Sequence, residues 1–81
     1  MIDCNNIGRN DKLDFGEALA FMRDGYRVTR NGWNGKGMWI ELVIPTNGWE
    51  PFILMHTALG KEQPGWLASQ NDMLATDWET C

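Results

Sequence analysis

One amphipathic helical stripe constrains this chain more than any other feature. Asp14 and Glu17 have the spacing of a capping box, with Asp in place of the usual Ser or Thr. Phe15, Ala18, Leu19 and Met22 then recur at i, i+3, i+4 and i+7, which puts them on one apolar face. Gly25 stands where a helix commonly stops. A helix of this kind has to bury its stripe, and the segments after Gly25 supply strands to bury it against. Tyr26–Thr29 is predicted to form a short strand. From Met38 to Ile44 the chain alternates, with Met38, Ile40, Leu42 and Ile44 on one side and Trp39, Glu41 and Val43 on the other. Pro45-Thr46-Asn47-Gly48 is a turn, and a further strand runs from Phe52 to about Thr57, apolar on both faces. Leu59-Gly60 and Pro64-Gly65 break the chain again. A short helical or looped segment near Ser69–Leu74 and a last strand near Asp77–Thr80 complete an α+β domain.

The chain has 81 residues, enough for one hydrophobic core and no more. Small domains of this size need disulfides, a metal or self-association for comfortable stability. Cys4 and Cys81 lie near opposite ends, with no CxxC or Cys/His grouping. They read as two separate thiols, although a single terminal disulfide is geometrically conceivable. His56 is the one histidine, which argues against zinc. Oligomerisation is then the expected source of stability, and a strand apolar on both faces suggests a sheet covered once by the helix and once by another subunit. Residues 1–13 are polar and without period and read as an N-terminal extension to a single domain over residues 14–81. There is no basic apolar leader and no apolar run of membrane-spanning length, so a cytoplasmic protein is expected.

A net charge of −4 disfavours long nucleic acid, which wants a basic surface. Yet Arg23, Arg27, Arg30 and Lys36 crowd into one stretch with a single acid, Asp24. Such a patch suits a small anion, though a solvated basic face would look the same. The patch runs into Arg30-Asn31-Gly32-Trp33-Asn34-Gly35-Lys36-Gly37. Glycines let a backbone approach a ligand closely, tryptophan offers a face for stacking, and Arg and Lys supply charge. Neither a P-loop nor a GxGxxG pattern is present. Arg30 and Lys36 are the candidates to hold a pyrophosphate, with the Gly35 and Gly37 amides assisting as an anion concavity. Trp33 and Asn34 add a stacking plane and an amide, although Trp33 could equally cap the core. A second candidate segment holds Trp66, Ser69, Gln70, Asp72 and Asp77. There Ser69 with Asp72 also has helix-capping spacing, and Asp77 could accept a ribose hydroxyl or be an exposed strand-end charge. No Ser, Cys or His arrangement supports nucleophilic catalysis, Asp72 and Asp77 have no spacing that fixes acid–base geometry, and no cofactor motif occurs.

Residues 14–78 resemble the Thoeris anti-defence 2 family of small, mostly phage-encoded proteins. The resemblance rests on Phe15-Gly16-Glu17-Ala18-Leu19, on Arg30-x-Gly32-Trp33-Asn34-Gly35-Lys36-Gly37-Met38 and on Phe52-Ile53-x-Met55-x-Thr57. It continues through Gly65-Trp66-Leu67-Ala68-Ser69-Gln70-x-Asp72-Met73-Leu74-Ala75-x-Asp77-Trp78. The departures are the long 1–13 extension and Asn71 where Thr is expected. The resemblance implies a helix on a small antiparallel sheet, assembled as a homotetramer with pockets between protomers. It also implies a non-catalytic sponge that holds cyclic nucleotide immune signals intact in the cytoplasm of the infected bacterial host. Those signals include glycocyclic ADP-ribose from TIR-domain enzymes and, for some members, cyclic di- or trinucleotides from cGAS-like enzymes of the CBASS type. The alternatives are a phage structural or assembly subunit without nucleotide ligand, its tryptophans serving as interface anchors, and an enzyme that degrades the signal.

Overall fold

The computed structural model describes residues 11–33 and 37–81. Along the chain come α1 (Phe15–Arg23), β1 (Val28–Arg30), β2 (Trp39–Val43), β3 (Phe52–His56), β4 (Glu62–Pro64), α2 (Gln70–Leu74) and β5 (Trp78–Thr80). The strands form one sheet in the order β4-β3-β2-β1-β5, antiparallel at every pairing. The class is α+β.

Local sequence explains both ends of α1. The Asp14 carboxylate accepts from the Glu17 amide at 2.7 Å and the Glu17 carboxylate accepts from the Asp14 amide at 3.0 Å, a complete capping box. At the other end Gly25 takes φ +92°. The Tyr26 amide then donates to Phe21 and the Gly25 amide to Met22, with the Phe21 and Tyr26 rings in edge contact at 5.1 Å. Ala18 and Met22 from the stripe are buried against Val28, Ile40, Met55 and Trp78. Ile40 pairs with Met55 and Leu42 with Ile53, so these residues share the sheet face that α1 covers. Complete burial of one such side chain stabilises the fold by about 1.5–3 kcal/mol. The opposite face carries Trp39, Glu41, Leu54 and His56 and is mixed rather than apolar.

Several boundaries differ from the sequence reading. Leu13, assigned there to the polar extension, is buried and forms a two-bond bridge with Trp78. Asp11 and Lys12 are exposed, and residues 1–10, with them Cys4, lie outside the described residues. Cys81 is disulfide-bonded, which corrects the reading of it as a free thiol. The first strand starts two residues late, so Arg30 ends β1 instead of opening a loop. Strand β4 has no counterpart in the sequence reading, because Glu62-Gln63-Pro64 shows no hydrophobic alternation. All three residues are exposed, and an edge strand tolerates Pro. After β4 the Gly65 and Trp66 amides both donate to the Ile53 carbonyl at 3.0 Å. That pair of bonds brings the chain back over the α1 side of the sheet.

Candidate functional site

Alternation along β1 places Arg30 on the same face as Val28, and register sets it opposite Trp78. Its Nη1 donates to Asp72 at 2.8 Å and its Nε to Asp77 at 2.9 Å. One guanidinium therefore bridges two carboxylates that are separated from it by more than forty residues of sequence.

Asp72 is the most heavily committed group. One oxygen accepts from Arg30 and from the Trp33 indole N–H at 3.0 Å. The other accepts from the Ser69 amide at 3.0 Å and the Ser69 hydroxyl at 2.9 Å. Four donors fill the acceptor capacity of a carboxylate. Ser69 is thus the N-cap of α2, its hydroxyl accepting in turn from the Asp72 amide. Burial alone would raise the Asp72 pKa, but the bonds from Trp33, Ser69 and Arg30 together outweigh it and hold the group at about 2. Asp77 is shifted the same way: burial opposes, and the bonds from Arg30 and the Gly32 amide prevail. Arg30 is held above its ordinary value, first by its hydrogen bond to Asp77 and against the cost of burial.

Asp77 works on the loop as well. Its carboxylate accepts from the Gly32 amide at 2.6 Å and its carbonyl from the Asn31 amide at 3.1 Å. A Cβ on Gly32 would sit 2.7 Å from the Asp77 carboxylate, so the residue here must be small. Farther along, Gly37 takes φ +80°, a conformation that suits glycine, and the Thr29 hydroxyl donates to the Met38 carbonyl at 2.6 Å.

An aromatic cluster floors the corner. Trp78 is fully buried and donates its indole N–H to the Asp72 carbonyl at 2.9 Å. Phe15 and Trp33 lie 5.4 Å from it and Trp66 lies 6.3 Å away, the two tryptophans meeting it edge-to-face. Trp33 and Trp66 also meet each other at 6.1 Å, and both remain partly exposed.

Of the sequence candidates, Arg30, Trp33, Ser69, Asp72 and Asp77 are brought together, with Trp66 beside them. Gln70 is exposed on α2 and Gly37 is exposed at the far end of the loop. Asn34, Gly35 and Lys36 lie outside the described residues. Among the described residues, the three arginines of the basic cluster have separate surroundings. Arg23 is exposed in the last turn of α1, Arg27 lies over the Trp39 ring, and Arg30 is enclosed by acids. Sequence reasoning misses that Arg30 and the two aspartates are one another's partners, and nothing in a single sequence signals so remote a pairing. Among the described residues no group of three or more His, Cys, Asp or Glu is placed to hold a metal ion.

Fold and site together define a small α+β protein in which an ion-paired corner holds the Asn31–Gly32 turn beside partly exposed tryptophans. The family model for the Thoeris anti-defense 2-like domain matches residues 13–81, beginning at the buried Leu13. Thoeris anti-defense 2 of Bacillus phage SP01 is 37% identical over 84 residues, covering 84% of this chain and 93% of that relative. The chain belongs to the Thoeris anti-defense 2-like family, and membership implies an anti-defence role.

Proposed function

We propose that this protein counters a bacterial antiphage system by binding its cyclic nucleotide signal and holding it unaltered. The observation that carries the reading is the anchored Asn31–Gly32 turn beside Trp33 and Trp66, in a chain of this family. A cyclic ADP-ribose presents a base to stack and a pyrophosphate to neutralise. The partly exposed tryptophan rings serve the first need. For the second, Arg30 is poorly placed, because two carboxylates already share its guanidinium and the trio carries net negative charge. Lys36, with the backbone amides of Gly35 and Gly37, is the better anion holder. Asn34 and Gln70 complete the proposed contact set, while Arg30, Ser69 and Asp72 frame it.

Self-association belongs to the same proposal. Leu67, Met73 and Leu74 are exposed around α2, as are Ile44 and Trp49 at the β2–β3 connection. A homotetramer with ligands between protomers would cover such surface, and light scattering tests it: a 9.3 kDa species at micromolar concentration contradicts the assembly. No described helix is long and apolar enough to cross a membrane, and action in the cytoplasm of the infected host is part of the proposal.

A calorimetric panel of glycocyclic ADP-ribose isomers, cyclic dinucleotides and cyclic trinucleotides tests the reading. Saturable binding of at least one compound, weakened by salt and by Lys36→Ala, is expected. Binding of none would favour a structural or assembly subunit.

A further inference from the structure

We propose that Asp77 is the positioning residue of the glycine-rich loop: with Arg30 it clamps the turn at Asn31–Gly32 and acts through that backbone rather than by touching a ligand. This deepens the sequestration reading and rests on it only for the ligand arm of the test.

The clamp is built from three bonds on one residue. The Asp77 carbonyl takes the Asn31 amide, one carboxylate oxygen takes the Gly32 amide and the other takes Arg30 Nε. Asp77 precedes β5 and Arg30 ends β1, and these strands are paired in register through Arg30 and Trp78. The carboxylate therefore stands just ahead of β5 and is fastened to the end of β1, with Arg30 tied a second time through Asp72. Two consecutive loop amides are thereby fixed to the sheet at the point where the chain leaves it. Bonds from amide or guanidinium donors to an ionised acceptor are short and about twice as strong as neutral ones. Gly32 is part of the device because any side chain there would meet the Asp77 carboxylate at 2.7 Å.

A ligand-contacting Asp77 and a positioning Asp77 make different predictions. Removing a positioning carboxylate frees the Gly32 amide, leaves the Asn31 amide its bond to the backbone carbonyl of residue 77, and abolishes the reason for glycine at position 32. The experiment measures hydrogen exchange at individual amides and nucleotide affinity for the parent, Asp77→Ala, Gly32→Ala and the double variant, with Glu50→Gln as a control for lost negative charge. Losing one charge-assisted bond is expected to speed exchange at Gly32 about tenfold or more, with a smaller change at Asn31, whose carbonyl acceptor remains, while amides of β2 and β3 keep their protection. Gly32→Ala should have the same signature, because it displaces the carboxylate. In the Asp77→Ala background Gly32→Ala should add little to either readout, since the obstructing group is gone.

Affinity for whichever panel nucleotide the parent binds should fall about tenfold in each single variant, in step with the exchange. Lost affinity with unchanged exchange at Gly32 would overturn the proposal in favour of direct contact. Uniformly faster exchange across the sheet, or additive effects in the double variant, would also overturn it. If the parent binds no nucleotide, the exchange and the double-variant cycle still decide the clamp. If Asp77→Ala fails to fold, Gly32→Ala against the parent decides it by the same local signature.

Discussion

The two ends of the sheet handle charge in opposite ways. At the β1–β5 end Arg30 is shared between Asp72 and Asp77, with side chains 17%, 12% and 33% exposed. Each carboxylate there also takes a loop or indole N–H. At the β3–β4 end His56 Nε2 lies 3.0 Å from Glu41 and 3.5 Å from Glu62, whose side chain is 62% exposed. The His56 ring stacks on Trp39 with centroids 3.5 Å apart. An imidazole needs a proton before it can form an ion pair, and Glu62 keeps most of its water. The first cluster ties together α2, β5, β1 and the loop, so its loss would unseat several elements. The second couples neighbours that backbone ladders already hold.

Asp72→Ala should break this contrast most severely. It removes the N3 half of the α2 capping box, one Arg30 partner and the Trp33 acceptor at once. Breaking a largely buried pair from one side costs about 3–5 kcal/mol, measurable by urea unfolding. A cost near that of an exposed pair would erase the distinction between the two ends.

Acid should come next. The Asp72 pKa is lowered from 3.8 to about 2 in the fold, so its contribution is fully present above the unfolded value and disappears as pH falls through the folded one. The stability at stake is on the order of 2 kcal/mol. It should be lost between about pH 4 and pH 2, with Asp77 contributing in the same direction. An Asp72→Asn variant should show a shallower loss over that window.

Trp33→Phe keeps a ring but removes the indole donor to Asp72. A cost of about 1.5 kcal/mol is expected by thermal or urea unfolding, the low end for a bond to a charged group. At the opposite end of the sheet Glu62→Gln should change stability by no more than about 0.5 kcal/mol, as for other exposed pairs. A larger effect there would mean that the His56 cluster is structural after all.

Legibility in the sequence depends on range. The α1 caps, its stripe and the Gly25 stop depend on residues a few positions apart, and all appear in the structure. So do the alternation of β2, the strand at Phe52–His56, the Ser69 cap and the last strand. Arg30 reads as a ligand cation in sequence because its neighbours are glycines. Its partners lie 42 and 47 residues away, beyond the reach of any local pattern. Gly32 reads as allowing close approach of a ligand, yet the group that approaches closely is the protein's own Asp77. Strand β4 is invisible in sequence because its pairing uses backbone rather than side-chain pattern.

Sequestration as proposed requires that the signal be held and not consumed. The direct measurement is to saturate the protein with the nucleotide it binds, remove the excess, denature by heat and analyse the released compound by chromatography and mass. Near-stoichiometric recovery of unaltered nucleotide after prolonged incubation is expected. Time-dependent conversion to a hydrolysed product, at a rate set by protein concentration, would contradict it.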